Sequence, residues 1–308
     1  MAAPARRARV GAGTVRAARG RDRRLGMRGA GGAGPAIMLH STPVRVLFLG
    51  TGTSHGVPMI GCTCGVCRSP DPRDQRLRPS VYVECDDGTC LLVDTTPDLR
   101  LQALRHALRR VDAILFTHSH ADHIMGLDEV RRFNVLSGGP IPAYGDARTM
   151  ADLRRIFAYA FDPDVPRGGG LPDLRLAVLE GPCCIGRQDV IPVPVWHGSR
   201  MIYGFRLGRF AYLTDCSAVP AASMPLLTGL ETLVIDALRR RPHPTHLSLD
   251  QAVALARQIG APATYFTHIA HDLSHAEASA TLPPGMALAH DGLAIDIGDR
   301  RSPIFPVT

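Results

Sequence analysis

Short apolar runs recur along the chain, and their length and composition predict β-strands. "VRVLFLG" (44–50) and "TLVID" (232–236) are rich in Val, Leu and Ile and end at Gly or Asp, as strands commonly do. Further strands are predicted at SVYVEC (80–85), TCLLVD (89–94), DAILF (112–116), DVIPVPV (189–195), IYGFRL (202–207), FAYLT (210–214) and TYFT (264–267). The turn "DDG" joins the strands at 80–85 and 89–94 into a hairpin.

Two segments between the strands carry the spacing of amphipathic helices. Apolar residues recur at helical intervals over 98–110 and 248–260, with polar residues on the opposite face. Ser248 and Gln251 have the spacing of a capping box at the start of the second helix. The alternation of strands and helices predicts an α/β sandwich with helices covering the sheets, as one domain over 41–308. A loop rich in Pro and Gly is predicted at 163–173.

Composition limits the class of protein. The 308 residues include 45% apolar and 20% charged residues, which is ordinary for a globular protein. No apolar run approaches the roughly 20 residues that span a bilayer, so no membrane association is expected.

The net charge of +7 is concentrated at the N-terminus. Residues 1–40 hold nine Arg and one Asp, so this segment carries +8 and the remainder carries −1. The segment lacks an apolar period and the apolar stretch of a signal peptide, which predicts a disordered extension or a start of translation at Met27 or Met38. An arm that binds anionic surfaces is the less favoured alternative, and no nucleic acid is expected at the body.

Three of the eight cysteines are closely spaced. Cys62, Cys64 and Cys67 occur within six residues of a chain without a signal peptide, which favours a metal site and a reducing, cytoplasmic environment over disulfides. The scattered cysteines are interpreted as free thiols.

The stretch "FTHSHADH" (116–123) carries four potential metal ligands directly after a predicted strand. His118 and His120 are two residues apart, a spacing that favours a tight loop over a helix, where ligands are usually four apart. Imidazole and carboxylate suit Zn²⁺, Mn²⁺ or Fe²⁺, and four ligands exceed the needs of one catalytic ion. Asp122 and His123 therefore imply a second ion.

The same order of strand and then ligand recurs three times further along. His197, Asp215 and His268 each follow a predicted strand. Any one of them alone is more often a turn residue or a helix cap. Together with the first stretch they form a set.

In this ordered set the chain resembles the metallo-β-lactamase superfamily, over roughly residues 44–298. The resemblance implies an αββα sandwich and two divalent ions, Zn or Mn, at the sheet edges. It implies one ion held by His118, His120 and His197, and another by Asp122, His123 and His268. Asp215 would bridge them and so take a catalytic role.

"GTGTSHGVPMIGCTCGVC" (50–67) and "THIAHD" (267–272) resemble the narrower PhnP-type branch, which are phosphodiesterases that open a cyclic phosphate. Since a structural zinc takes four ligands, Cys62, Cys64 and Cys67 need a fourth. The family uses a His three residues after its last catalytic ligand, which implies His271.

The PhnP-type resemblance also implies a catalytic histidine 22 residues before the last metal ligand, at His246. Such a group could donate a proton to the departing alkoxide. Asp94, at the end of "LLVD", is a candidate for orienting a ligand histidine. A surface histidine and a turn residue are the plainer alternatives for these two.

The predicted function is a metal-dependent hydrolase, a phosphodiesterase that directs a hydroxide bridging two metal ions at a small cyclic or nucleotide-like phosphodiester. The alternatives are a thioester hydrolase resembling glyoxalase II, an RNase Z-like nuclease, and a structural module that binds only zinc. RNase Z is disfavoured because the body is not basic. A homodimer is the expected oligomer.

Overall fold

The computed structural model describes residues 44–165 and 170–298. In chain order its strands are β1 (Val44–Gly50), β2 (Ser80–Cys85), β3 (Cys90–Val93), β4 (Ala113–Leu115), β5 (Ile141–Gly145), β6 (Leu174–Val178), β7 (Cys183–Ile185), β8 (Gln188–His197), β9 (Arg200–Leu207), β10 (Phe210–Leu213), β11 (Thr232–Asp236), β12 (Ala263–Thr267), β13 (Met286–Leu288) and β14 (Ala294–Ile297). Its α-helices are α1 (Leu99–Arg105), α2 (Ala121–Ile124), α3 (Val130–Ser137), α4 (Ala147–Ile156), α5 (Ala158–Phe161), α6 (Leu249–Ile259) and α7 (His275–Ser279). The extension predicted at 1–40 lies outside the described residues, as does part of the loop predicted at 163–173, so the domain boundary stays a prediction.

Within the described residues the strands form two sheets of seven strands each. Their orders are β14-β1-β2-β3-β4-β5-β6 and β13-β12-β11-β10-β9-β8-β7. Strands β3 to β6 are parallel in the first sheet, and β10 to β13 are parallel in the second. Because parallel strands end at the same edge of a sheet, residues that follow these strands are brought together.

Three layers of apolar side chains show how the sheets and helices pack. Side chains alternate along β1, so that Phe48 lies between the two sheets and Leu49 lies under the helices on the outer face. The second sheet does the same, with Tyr212 facing inward and Leu213 facing the layer that includes α6. This period of two is the reason that each sheet buries both faces. The predicted αββα sandwich is confirmed.

One predicted helix is too long. The periodic pattern at 98–110 yields α1, which ends at Arg105. Leu108 N–H donates to Ala103 O at 2.9 Å, and Ala107 adopts a left-handed backbone with φ 52°. This hydrogen bond joins residues five apart in the chain, where helical bonds join residues four apart, and it ends the helix before the chain turns back toward β4.

The start of α6 agrees with its prediction. Ser248 is the N-cap, its hydroxyl accepts from Gln251 N–H, and the Gln251 side chain completes the capping box. In the described part of the chain, no helix has both the length and the apolar character needed to cross a membrane.

Candidate metal centre

The histidine-rich stretch lies where β4 ends at the edge of the first sheet. His118 and His120 have extended or irregular backbone, whereas Asp122 and His123 lie on the single helical turn of α2. The prediction of a loop throughout is therefore wrong for the last two ligands. The helical turn places Asp122 and His123 side by side, with His123 Nε2 3.4 Å from Asp122 Oδ2.

The remaining ligands come from the second sheet and face the first. His197 is the last residue of β8, Asp215 follows β10, and His268 follows β12. Asp215 and His268 have positive φ angles of 55° and 60°, and Asp94 at the end of β3 has 64°. A left-handed backbone at residues other than Gly costs about 1–3 kcal/mol each and is concentrated at functional sites. The backbone just after β3, β10 and β12 is therefore strained, and this conformation directs the side chains of Asp94, Asp215 and His268 into the cleft.

Two sets of four side chains converge in this cleft. Within each set the potential ligand atoms lie within 4.8 Å of one another, and the sets are His118, His120, His197 and Asp215, and Asp122, His123, Asp215 and His268. Asp215 belongs to both sets. Its Oδ1 is 3.2 Å from His123 Nε2, and its Oδ2 is 3.2 Å from His268 Nε2 and 3.8 Å from His118 Nε2. Asp215 therefore lies between the two sets, in the position that a bridging ligand requires.

The chemistry of these donors fits divalent cations. The buried Nε2 atoms of His118, His123 and His268 have no hydrogen-bond partner among the described residues. A buried polar atom left unpaired costs about 1–3 kcal/mol, and a metal ion would satisfy all three nitrogens. His120 is exposed, so the centre opens to solvent on that side.

A second layer of hydrogen bonds orients the imidazoles. Asp94 Oδ2 lies 2.7 Å from His123 Nδ1 and accepts from the Thr117 hydroxyl at 2.8 Å. Thr245 O lies 2.9 Å from His197 Nδ1. Each contact holds a proton on Nδ1, so that Nε2 is left as the electron-pair donor toward the cleft. Asp94 thus lies where its predicted role requires.

Burial and neighbouring charges shift the pKa values of the cleft in opposite directions. Burial, together with the nearby His123, holds the pKa of His118 well below its usual range. Burial also disfavours charge on His123, but the carboxylates of Asp215, Asp122 and Asp94 outweigh it and raise its pKa well above the usual value. Burial opposes ionisation of Asp215, yet His268 and His123 hold its pKa well below normal. Asp215 therefore remains charged, as a ligand of cations must, and a cation bound at Nε2 would displace the extra proton that the carboxylates favour on His123.

His246 lies against both ligand sets. Its ring stacks on His268 at 4.7 Å between centroids and meets the His197 ring edge-on at 4.8 Å. Its Nδ1 is 3.3 Å from Asp236 Oδ2, and Asp236 Oδ1 is 3.6 Å from His268 Nδ1. Burial raises the pKa of Asp236, while His246 opposes this rise. The two histidines share one buried carboxylate.

Sequence reasoning missed Asp236. Asp236 ends β11 in "TLVID" just as Asp94 follows β3 in "LLVD". The sequence therefore contained a signal for Asp236, because it is the third acid, after Asp94 and Asp215, that stands at the end of a strand.

The cysteine cluster forms a separate group with the predicted histidine. One ligand atom from each of Cys62, Cys64, Cys67 and His271 lies within 4.8 Å of the others. His271 Nδ1 is 3.2 Å from Cys62 Sγ and 3.4 Å from Cys64 Sγ. The Cys67 N–H and then His271 lower the pKa of Cys64 to about 6, while burial raises that of Cys67 to about 11. Three thiols and one imidazole are a donor set that suits a structural zinc.

Comparison with known proteins gives relatives of this arrangement. A family model described as "Beta-lactamase superfamily domain" matches residues 89–269. An octanoyltransferase from Porphyromonas gingivalis is 34% identical over 259 residues, which cover 83% of this chain and 52% of the relative. The chain thus spans about half the length of that protein. A coenzyme PQQ synthesis protein B from Methylobacterium radiotolerans is 26% identical over 63% of this chain and 72% of the relative.

Solved structures extend the comparison. The crystal structure of a diphosphatase from the PhnP family is 47% identical with a TM-score of 0.77, over 83% of this chain and 97% of that one. Zn²⁺-bound PqqB from Methylobacterium extorquens is 22% identical with a TM-score of 0.65, over 82% of this chain and 100% of that one. At that identity the PqqB likeness concerns the fold alone.

Proposed function

The chain belongs to the metallo-β-lactamase superfamily, on its PhnP-type branch, as a metal-dependent hydrolase, and from this premise we propose that it cleaves small cyclic or nucleotide-like phosphodiesters. The observation that carries the proposal is the position of His246. Its ring touches a histidine of each ligand set. A side chain that could donate a proton therefore lies beside a centre suited to two cations.

The residues that would hold the cations follow from the two ligand sets. His118, His120 and His197 would hold one ion, Asp122, His123 and His268 the other, and Asp215 both. When bound, such ions lower the pKa of water and offset the negative charge that develops on phosphoryl oxygens.

His246 has the contacts of a general acid. Asp236 Oδ2 lies on the Nδ1 side of the ring at 3.3 Å, so the carboxylate orients the ring with Nε2 on the opposite side. A proton at Nε2 is then available to the leaving oxygen, whose departure as an alkoxide would be unfavourable. Asp236 is fully buried and acts through His246 as a positioning residue.

The PhnP-type branch supports a phosphoryl substrate over a carbonyl one. The solved relative that is 47% identical is a diphosphatase, so this relationship also favours a second candidate, the hydrolysis of a diphosphate ester. Both substrates present a phosphorus that carries one leaving group and one negative charge. A thioester carbonyl carries no such charge.

Metal content and turnover test the proposal together. Zn, Mn and Fe per chain are measured in protein purified without chelators, and bis(p-nitrophenyl) phosphate, ADP-ribose and a thioester are assayed in parallel. We expect about three ions per chain and cleavage of the phosphodiester. His246→Ala should lower kcat at least about tenfold, because general acid catalysis usually supplies 10²-fold or more.

His106→Ala is the matched control, because His106 lies at the end of α1 and outside both ligand sets. It should retain full activity. Cleavage of ADP-ribose alone would favour the diphosphate ester, whereas turnover of the thioester alone would contradict both phosphoryl candidates. One ion per chain without any turnover would leave only the cysteine-bound structural module.

A further inference from the structure

A second histidine, His243, lies in the loop between β11 and α6, three residues before the proposed general acid His246. Hydrogen bonds close this loop at its base. Leu238 N–H donates to Leu247 O at 3.0 Å, and Leu247 N–H donates to Asp236 Oδ2 at 2.9 Å. The two histidines of the loop therefore keep defined positions beside the cleft.

The imidazoles of this loop continue a row of rings that begins at the metal centre. The His246 ring stacks on His268 at 4.7 Å between centroids, and the His243 ring follows at 5.2 Å from His246. His268 is buried, whereas His243 is only partly buried. His243 therefore stands at the outer end of the row, one ring farther from the metal ligands than His246.

The contacts of Nδ1 determine which nitrogen of His243 carries the proton. Thr245 N–H donates to His243 Nδ1 at 3.3 Å, and the Thr245 hydroxyl lies 3.2 Å from the same atom. Because a backbone N–H can only donate, Nδ1 is an acceptor, and the neutral ring carries its proton on Nε2. Burial, followed by His246 and Arg239, lowers the pKa of His243, so the ring is neutral at pH 7.

Thr245 also fixes His243 relative to a candidate metal ligand. Its backbone N–H donates to His243, and its carbonyl oxygen lies 2.9 Å from His197 Nδ1. The Thr245 side chain packs against the turn between β8 and β9, where a Cβ at Gly198 would lie 2.8 Å from Thr245 Cγ2. A shift of His243 would therefore disturb the support of His197.

The Nε2–H group of His243 has no acceptor in the described part of the chain, where the hydrogen bonds of this ring involve Nδ1 alone. This donor points away from Thr245, and the ring next to it is the proposed general acid. A group that donates to a substrate hydroxyl discriminates against analogues that lack this hydroxyl, because the donor is then left unpaired. The position of His243 suits such a contact with the leaving group.

We propose that His243 Nε2 donates a hydrogen bond to a hydroxyl oxygen of the leaving group, next to the oxygen that His246 protonates. This contact rests on the proposed function, which places the leaving oxygen at His246. Rings 5.2 Å apart can donate to two oxygens on neighbouring carbon atoms, because each hydrogen bond spans about 2.9 Å. The substrate is then a phosphodiester whose leaving oxygen belongs to a vicinal diol, as in a ribose.

Binding of two nucleotides that differ in one hydroxyl tests this contact without turnover. Adenosine 5′-monophosphate and its 2′-deoxy analogue are titrated calorimetrically into metal-loaded full-length protein. Both have the 3′ oxygen, and only the first has a hydroxyl beside it. We expect the ribonucleotide to bind about fivefold more tightly, as one net hydrogen bond allows.

Three variants assign this preference to His243. His243→Ala should remove it, and His243→Gln, which keeps an N–H donor, should retain part of it. His106→Ala, at a partly buried histidine outside both ligand sets, should retain it in full. Equal affinity for both 5′-monophosphates in the wild type, or an undiminished preference in His243→Ala, would overturn the contact.

Adenosine 3′,5′-cyclic phosphate and its 2′-deoxy analogue then separate the contact from the proposed function. Formation of the 5′-monophosphate reports departure of the 3′ oxygen, and the ratio of kcat/KM between the two substrates should fall from about five to about one in His243→Ala. An equal loss of kcat/KM for both would overturn the contact, since a ring that only supports His246 cannot distinguish them. A binding preference that His243→Ala removes, without cleavage of either cyclic nucleotide or of bis(p-nitrophenyl) phosphate, would refute the phosphodiesterase and leave the hydroxyl contact standing.

Discussion

Asp236 lies next to both the proposed general acid, His246, and the candidate metal ligand His268. Its two oxygens face the Nδ1 atoms of His246 and His268 at 3.3 and 3.6 Å. One carboxylate can therefore orient both an acid and a ligand. Orientation of His268 should affect metal affinity, whereas orientation of His246 should not, so an experiment can separate these two roles of Asp236.

Asp236→Asn should lower kcat at saturating metal at least about tenfold, since an amide in place of the carboxylate holds the His246 ring less firmly in position. The metal titration carries the evidence, because kcat should stay low at every metal concentration if the loss lies at His246 and not in metal binding. If kcat recovers fully with excess metal, Asp236 orients only His268. The melting temperature of the variant shows whether the fold is retained.

A second buried polar network makes stability depend on pH. Arg76 Nη2 donates to His275 Nδ1 at 3.1 Å, and Asp291 accepts from Leu77 N–H at 2.7 Å and from the Thr51 hydroxyl at 2.8 Å. Burial, followed by Arg76, lowers the pKa of His275 to about 4, and burial raises that of Asp291 to about 6. Between about pH 4 and 6 both groups are therefore neutral in the folded chain.

The two residues have opposite effects on stability between pH 4 and 6. In this window the unfolded chain protonates His275 and the folded chain does not, so His275 makes stability fall as pH falls. The folded chain keeps a proton on Asp291 that the unfolded chain has lost, so Asp291 makes stability fall as pH rises. Each proton changes the free energy of unfolding by at most about 1.4 kcal/mol per pH unit.

Single substitutions should separate the pH dependence of stability contributed by His275 from that contributed by Asp291. Relative to wild type, the free energy of unfolding of His275→Gln should decline more steeply as pH rises from 4 to 6, and that of Asp291→Asn should decline more steeply as pH falls. Urea unfolding at several pH values measures both against the wild type. Parallel pH dependence in all three proteins would show that neither group titrates in the folded chain as its burial requires.

At the scale of elements, α6 positions the loop that carries His246. Ser248, two residues after His246, caps the helix and is buried. Ser248→Ala should lower the free energy of unfolding by about 1 kcal/mol, because an N–H at the start of the helix loses its acceptor. Urea denaturation measures this loss. The same substitution at exposed Ser279 should have little effect, and equal losses at both positions would argue against the cap.

The elements that could be predicted from the sequence are those with a strong local pattern of apolar residues. β1, β2 and β11 have the predicted bounds because their apolar runs end at Gly, Cys or Asp. β5, β6, β7, β13 and β14 were not predicted, since these short strands contain partly or fully exposed positions and only neighbouring strands define them. The end of α1 was missed because nothing local signals a left-handed Ala107.

The same distinction applies to the cleft. The ligand sets were predicted from the resemblance of the ordered histidines and acids to the metallo-β-lactamase superfamily. The topology explains why these side chains lie together, because residues that follow parallel strands meet at one edge of a sheet. Asp236 was missed because it is recognised only by its contacts with His246 and His268, which come from other segments of the chain. Spacing along the chain does not encode those contacts.

At the scale of the whole molecule, the N-terminal loop is tied to the strand end that carries His268. Ile269 N–H donates to Thr51 O at 2.8 Å, and Thr53 N–H donates to Ile269 O at 3.1 Å. Further along, His271 contacts Cys62 and Cys64 at 3.2 and 3.4 Å. The cysteine group and the metal centre therefore share one short segment, 268–271.

Cys64→Ser should remove one of about three metal ions per chain, since a closed zinc site needs all four ligands. The segment 268–271 would lose one of its two attachments, so the melting temperature should fall and a chelator should extract the remaining ions faster than from wild type. Cys184→Ser, at an exposed cysteine outside both sites, should change none of these. Loss of one ion with unchanged extraction of the others would mean that the backbone pairing of Thr51 and Thr53 with Ile269 holds His268 in place without the cysteine group.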